Sequence, residues 1–278
     1  MNDFLQLLQV IKPDIEIHDI PDPYAYARMQ TQWYNENTGN LNEADGIDCP
    51  VCRNKGTIQY VDDNGHTHVK DCSCMVKRNA VRAMQNSGLG GLIEKTIGNY
   101  QIYDHSWQDK VIDRTMQFIN DESDTWLYFA GQTGSGKTHL CTAACTALMD
   151  KGRRVKYMLW GKISQKLNAL KYKVEEFEQY LHELKNVDVL YIDDFLKTPT
   201  NANGVPDKPL TEDVRNAYTV INARYFANKK TIISSEHFIS EYNTYDGAAA
   251  GRIKQMAKII IQIERKPERD YRKRRASL

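Results

Sequence analysis

No apolar run in the 278-residue chain approaches the roughly 18 residues that a membrane-spanning helix needs, so no membrane partner is expected. The opening stretch, MNDFLQLLQV, lacks a basic n-region and a small-residue cleavage site, and no signal peptide is expected. Charge of one sign is also missing. Thirty-seven basic side chains stand against 36 acidic ones, for a net charge of +1, so the global balance carries no argument about nucleic acid. Internal repeats and low-complexity tracts are absent. Cysteines number only six, and in a chain without an export signal they are not expected to form a disulfide framework. A reducing cytoplasm is the expected setting.

The charge that is present is unevenly placed. Residues 1–48 carry nine acids against two bases, and residues 264–278 carry seven bases against three acids. Each end suits an electrostatic contact with a partner, or is simply a solvated segment. Pro13, Pro21 and Pro23 break any long helix at the start, and Tyr24–Tyr34 could form a short one. Residues 79–95, with Gly88, Gly90 and Gly91, look like a helix followed by a flexible linker. From residue 96 onward, apolar runs at Trp126–Ala130, Val155–Leu159, Val187–Ile192, Thr231–Ser234 and Lys258–Ile263 alternate with segments of helical spacing. This alternation predicts an α/β fold, a parallel sheet with helices on both faces. The expected division is a small amino-terminal module over 1–78, a linker over 79–95 and a nucleotide-binding domain over 96–278.

The sharpest motif is Gly131-Gln-Thr-Gly-Ser-Gly136-Lys137-Thr138, which fits GxxxxGK[ST] without a mismatch. WLYFA leads in as a strand and HLCTAACTALMD leads out as a helix. Glycine lets the backbone of Gly131, Thr133, Gly134, Ser135 and Gly136 wrap closely round phosphates, with its N–H groups pointing inward. The positive end of the following helix, at Lys137, Thr138 and His139, favours the same anion. Lys137 would reach the β and γ phosphates of ATP, and the Thr138 hydroxyl would bind Mg²⁺.

The run Val189-Leu-Tyr-Ile-Asp193-Asp194 reads as a buried strand with two carboxylates at its carboxyl end, where ligands bind in open α/β sheets. Asp193 would hold Mg²⁺ through its water shell. Asp194 would orient or deprotonate the attacking water. Two adjacent acids favour hydrolysis over transfer to a small acceptor. Thr231-Ile-Ile-Ser-Ser235 is a strand ending in hydroxyls, which either contact the γ-phosphate or the attacking water, or satisfy local backbone.

Cys49-x-x-Cys52 is followed by Cys72-x-Cys74, with TIQYV-DDNG-HTHVK between them. The flanks are rich in β-formers and Asn64-Gly65 is a hairpin signal. A hairpin would bring all four thiolates together, as a structural Zn²⁺ site requires. Free or redox cysteines are the competing reading, and the CxC half is less typical than a second CxxC. His66 and His68, in mid-strand, read as surface residues. Cys141 and Cys145 read as small buried hydrophobes.

Together GQTGSGKTHL, VLYIDDF, INARYFANKKTIISSE and DGAAAGRIKQM resemble the DnaC/DnaI-type helicase loaders, AAA+ ATPases of bacteria and their phages. The resemblance covers roughly residues 96–278 and extends in style to the cysteine cluster. It implies that Ser235 is the first sensor. Arg252 would be the arginine finger inserted into a neighbour's ATP site, where its fixed fork neutralises charge on the γ-phosphate. Arg272 would match the second sensor. Arg224 lies in a family-like stretch without an evident role. The resemblance further implies self-association through the ATP site, single-stranded DNA as a ligand, and a replicative hexameric helicase gripped by the amino-terminal module. Lys162, Lys166, Lys171 and Lys173 are candidate phosphate contacts, or a solvent-facing helix surface; the basic tail is a second candidate. Most AAA+ ATPases follow the first aspartate with glutamate, and Asp194 departs from that, which suggests slow hydrolysis. Three other readings compete with the loader: a transposition helper of the related IstB type binding duplex DNA, a P-loop kinase, and a zinc adaptor with a degenerate ATP site.

Overall fold

The computed structural model describes residues 23–84, 90–201 and 203–275. The chain divides into two compact units, 1–75 and 76–278.

In the first unit, helix α1 (Ala25–Glu36) and the short helix α2 (Leu41–Asp45) precede an antiparallel hairpin of β1 (Thr57–Val61) and β2 (Thr67–Asp71). Its turn closes where Gly65 takes a φ of 83°, and the Asp62 carboxylate accepts from the backbone of Asn64 and His66. Helix α1 is tied to β1 by polar bonds. Asn35 pairs both ways with the backbone of Gln59, at 2.9 and 3.0 Å. Tyr34 and Thr57 share a hydroxyl contact at 2.6 Å. Apolar packing is nearly missing: among the described residues 23–75, the only buried side chains of apolar type are Cys52 and Cys72. Helix α3 (Cys74–Met84) then leaves the unit.

The second unit is built round a five-stranded sheet of β3 (Trp126–Ala130), β4 (Val155–Leu159), β5 (Val189–Phe195), β6 (Lys230–Ser235) and β7 (Ile259–Gln262). The order is β4-β5-β6-β3-β7 and every pairing is parallel. The five apolar runs of the sequence are these five strands. Residues of β3, β5 and β6 are buried on both faces, which explains why they read as continuous runs and not as alternation. One face is covered by α4 (His105–Asn120) and α5 (Lys137–Asp150). The other is covered by α6 (Trp160–Leu170), α7 (Val174–Asn186), α8 (Thr211–Ala227) and α10 (Gly247–Met256), with α9 (Ile239–Tyr245) beside them. A last helix, α11, spans Tyr271–Arg275. Among the described residues no helix is long and apolar enough to cross a membrane.

Arg224, on α8, is fully buried. Its guanidinium donates to the carbonyls of Leu184, Lys185, Val187 and Lys230 and to the Thr231 hydroxyl. Leu184 and Lys185 belong to the last turn of α7, whose carbonyls have no partner within the helix. Burial pulls this guanidinium down to about 9, and the five acceptors hold it in place. Its role is to staple α7 and α8 to β6.

Candidate functional site

The carboxyl ends of β3, β5 and β6 meet at one edge of the sheet, because the strand order puts β6 between the other two. The phosphate loop leaves β3 there and enters α5. Gly134 and Gly136 take φ values of 77° and 88°, the left-handed region that glycine enters without cost. Neither has room for a side chain. A Cβ on Gly134 would sit 2.0 Å from Asp270 Oδ1, and one on Gly136 would sit 2.7 Å from the Tyr100 hydroxyl. The loop is also held by the chain's end, since Tyr271 N donates to Gly134 O at 3.0 Å.

Lys137 is almost wholly buried. Its ammonium donates to the carbonyls of Gly131 and Gln132 at 2.7 and 2.8 Å. Desolvation lowers it to about 8, against the pull of Glu236, Asp194 and Asp193. The Thr138 hydroxyl donates to Asp193 Oδ1 at 3.2 Å, so the two residues expected to share Mg²⁺ are side by side.

Asp193 is buried and collects further donors. The Tyr157 hydroxyl reaches Oδ2 at 3.0 Å, the Tyr191 hydroxyl reaches Oδ1 at 2.8 Å, and the Ser234 hydroxyl also bonds Oδ1. These bonds fix the carboxylate's orientation. After Ile192 the strand bulges, and Asp194 and Leu196 take φ values of 53° and 55°. Bulges re-aim side chains, and here Asp194 Oδ2 accepts from Lys197 Nζ at 2.7 Å. The strand ends at Phe195, the last residue of VLYIDDF.

The hydroxyls at the end of β6 divide their work. Ser234 serves Asp193. Ser235, the expected sensor, donates to Phe195 O at 2.8 Å and accepts from His237 N at 3.1 Å. The next residue, Glu236, is a buried carboxylate that accepts the Thr133 hydroxyl. The sequence reading assigned it nothing, although ISSE was among the segments singled out.

The phosphate loop borders a cavity of about 410 Å³, and Asp193, Ser234 and Ser235 are not among its lining residues. Its lining includes Thr133 to His139 of the loop and helix start, Asp194, Lys197 and Glu236 from the sheet edge, and Leu92, Tyr100 and Arg272. Leu92 lies in the stretch expected to be a linker. His139 Nε2 donates to Thr96 O, 2.9 Å away, and the ring meets Tyr100 edge-on at 5.1 Å. Arg272 is thus at the pocket. Arg252 is not among the lining residues. It lies over the rings of Tyr218 and Tyr225 at 5.1 and 5.6 Å.

Several lysines of the candidate DNA surface have local partners. Lys171 pairs with Glu212 at 3.3 Å, Lys173 pairs with Glu176 at 3.0 Å, and Lys166 lies over Tyr180. In the basic tail, Arg265 pairs with both oxygens of Glu241 at 2.7 Å.

The four cysteines of the first unit converge at the open end of the hairpin, with all sulfurs within 4.8 Å of one another. Cys49 and Cys72 are 3.8 Å apart, and Cys52 and Cys74 are 3.5 Å apart. Four thiolates about 2.3 Å from one Zn²⁺ would form a tetrahedron with edges of about 3.8 Å, so the spacing fits. Desolvation opposes the Cys52 thiolate, but a bond from Gly56 N at 3.3 Å and the neighbouring sulfurs outweigh it, bringing this thiol down to about 7. His66 and His68 are exposed and face Asp62. Cys141 and Cys145 are buried in α5, where desolvation pushes both thiols up.

Residues 60–250 match the family described as IstB-like ATP binding protein. The chain is 31% identical over 234 residues to the uncharacterized protein YqaM of Bacillus subtilis, covering 81% of this chain and 71% of that one. It is 27% identical over 117 residues to the replicative helicase loader DnaC of Escherichia coli, covering 41% and 47%. Among solved structures, the DnaC helicase loader superposes with a TM-score of 0.52 at 20% identity, over 63% of this chain and 99% of that one, a likeness of fold.

Proposed function

We propose that this chain, which belongs to the IstB-like ATP binding protein family, loads a replicative hexameric helicase onto single-stranded DNA, using its ATPase site to time the event. It is an ATPase with an AAA+ type fold. The observation that carries the chemistry is the meeting of Lys137, Thr138 and Asp193 at the carboxyl end of the parallel sheet. Lys137 must leave its two loop carbonyls to meet the phosphates. Thr138 and Asp193 would hold Mg²⁺, which when bound neutralises charge on the β and γ oxygens. Tyr157, Tyr191 and Ser234 keep Asp193 aimed.

The loader reading is supported by the sequence similarity to DnaC together with the family-like segments around Ser235, Arg252 and Arg272. A finger acts on the neighbouring subunit, so the position of Arg252 outside its own pocket suits self-association through the ATP site. The first unit supplies docking in this reading, in a cytoplasmic setting. Cys49, Cys52, Cys72 and Cys74 would hold Zn²⁺, which supplies folding energy and no chemistry. The IstB-like family match supports a second reading, in which the chain is a transposition helper of the IstB type that binds duplex DNA.

The test is to mix the purified chain with a replicative helicase of its host and measure complex mass, with and without ATP and single-stranded DNA. A stable complex that disappears when residues 1–78 are deleted is the expected result. No complex, together with ATP-dependent binding to duplex DNA, would replace the loader with the transposition helper.

A further inference from the structure

Glu236 is a carboxylate with 3% of its surface exposed; the ammonium groups of Lys137 and Lys197 are its cationic neighbours, but it has a single hydrogen-bond donor among the described residues. Oε1 accepts the Thr133 hydroxyl and lies 3.9 Å from Lys197 Nζ. No donor among the described residues reaches Oε2. A buried carboxylate ordinarily has an ion pair or several donors, because its desolvation is otherwise uncompensated. An under-satisfied one at the wall of a ligand pocket is a candidate for chemistry. Asp194, by contrast, is 31% exposed at its side chain and already paired with Lys197 at 2.7 Å. Its left-handed backbone also re-aims it, and it borders a second cavity beside Trp160 and Lys162.

We propose that Glu236, and not Asp194, orients and deprotonates the water that attacks the γ-phosphate. This rests on the ATPase reading above. Glu236 follows β6 directly, between the phosphate loop on β3 and Asp193 on β5, so it faces the cavity from the middle of the sheet edge. It touches the loop itself through Thr133. The water oxygen bonds to the γ-phosphorus as the bond from that phosphorus to the β–γ bridging oxygen breaks. The electron pair of the broken bond stays on the bridging oxygen, leaving ADP. The water's proton passes to the Glu236 carboxylate and then to the released phosphate. Lys137 and Lys197 offset the repulsion between this carboxylate and the incoming phosphates.

The test compares steady-state phosphate release and ATP affinity for the full chain and the variants Glu236→Gln, Asp194→Asn, Thr133→Val and Lys137→Ala. Glu236→Gln keeps an oxygen for the Thr133 hydroxyl and loses only the charge. Its kcat is expected to fall at least about 100-fold, the usual scale for a general base, with ATP affinity within about threefold. Asp194→Asn and Thr133→Val are expected to lose less than about tenfold. A Glu236→Gln variant that turns over ATP within about threefold of the parent refutes the proposal. So does a Thr133→Val variant with the same kcat loss as Glu236→Gln, because the carboxylate would then only hold the loop. Should Glu236→Gln fail to fold, Glu236→Asp, which keeps the charge but withdraws it by one methylene, must show the same selective loss of kcat. A parent chain no faster than Lys137→Ala would instead overturn the ATPase reading on which this one stands.

Discussion

With zinc held by Cys49, Cys52, Cys72 and Cys74 as proposed, its removal is expected to unfold the amino-terminal unit and leave the ATPase unit standing. Among residues 23–75 the only buried side chains of apolar type are Cys52 and Cys72. Even credited with the about 1.5–3 kcal/mol of a fully buried aliphatic side chain, they fall far short of the about 1–2 kcal/mol that each residue's backbone ordering costs. Binding of a structural zinc is worth about 10–16 kcal/mol, as much as the whole net stability of an ordinary domain, about 5–15 kcal/mol. Loss of the ion therefore suffices to unfold the unit. The assay is chelation under reducing conditions, followed by thiol titration, limited proteolysis and phosphate release. Four thiols (Cys49, Cys52, Cys72, Cys74) should become fast-reacting, while Cys141 and Cys145 stay protected until the second unit melts. Cleavage should concentrate within residues 23–75 and ATP turnover should persist. A purified chain without zinc whose hairpin still resists protease would refute the reasoning.

Two further outcomes follow from buried cations. Lys137 is lowered to about 8 in the free protein but must be charged to meet phosphates. Above pH 8, binding must therefore take up a proton, and ATP affinity should fall up to about tenfold per pH unit; below pH 8 this dependence should vanish, and a flat profile from pH 7 to 10 in nucleotide titrations would contradict it. Arg224→Met should cost about 3–5 kcal/mol, since it strands four carbonyls, those of Leu184 and Lys230 in buried bonds and those of Lys185 and Val187 in part-buried ones. The midpoint of the second unit's thermal unfolding should fall by roughly 6–20 °C, and a change under about 1 °C would remove the stapling role.

The sheet was legible because its central strands are buried on both faces, so Trp126–Ala130 and Val189–Ile192 stand out as unbroken apolar runs. The phosphate loop was legible because phosphate binding fixes residue types at fixed spacing. The sulfur cluster could be read because a hairpin maps sequence symmetry directly onto proximity. Other parts depend on which strands become neighbours, and no local pattern records that. Tyr157 meets Asp193 only because β4 lies beside β5, and Ser234 does so only because β6 lies on the other side. The pocket wall at Leu92 and Tyr100 comes from a segment without periodicity. The bulge after Ile192 and the division of labour between Ser234 and Ser235 are matters of backbone geometry, decided by one residue of register. Arg224 could be noticed in the sequence but not assigned, because its acceptors are main-chain carbonyls, which carry no residue identity.

The scarcity of buried apolar side chains in the first unit has an evolutionary side. Where little is buried, little can be lost: substitutions at most of its exposed positions should stay within about 0.5 kcal/mol. Tyr26, Met29 and Trp33 lie on one exposed stripe of α1, and residues there can be exchanged with no core to repack. If this unit docks a partner as proposed, its surface can follow changes in that partner. The ATPase unit, with its sheet packed on both faces, has no comparable freedom.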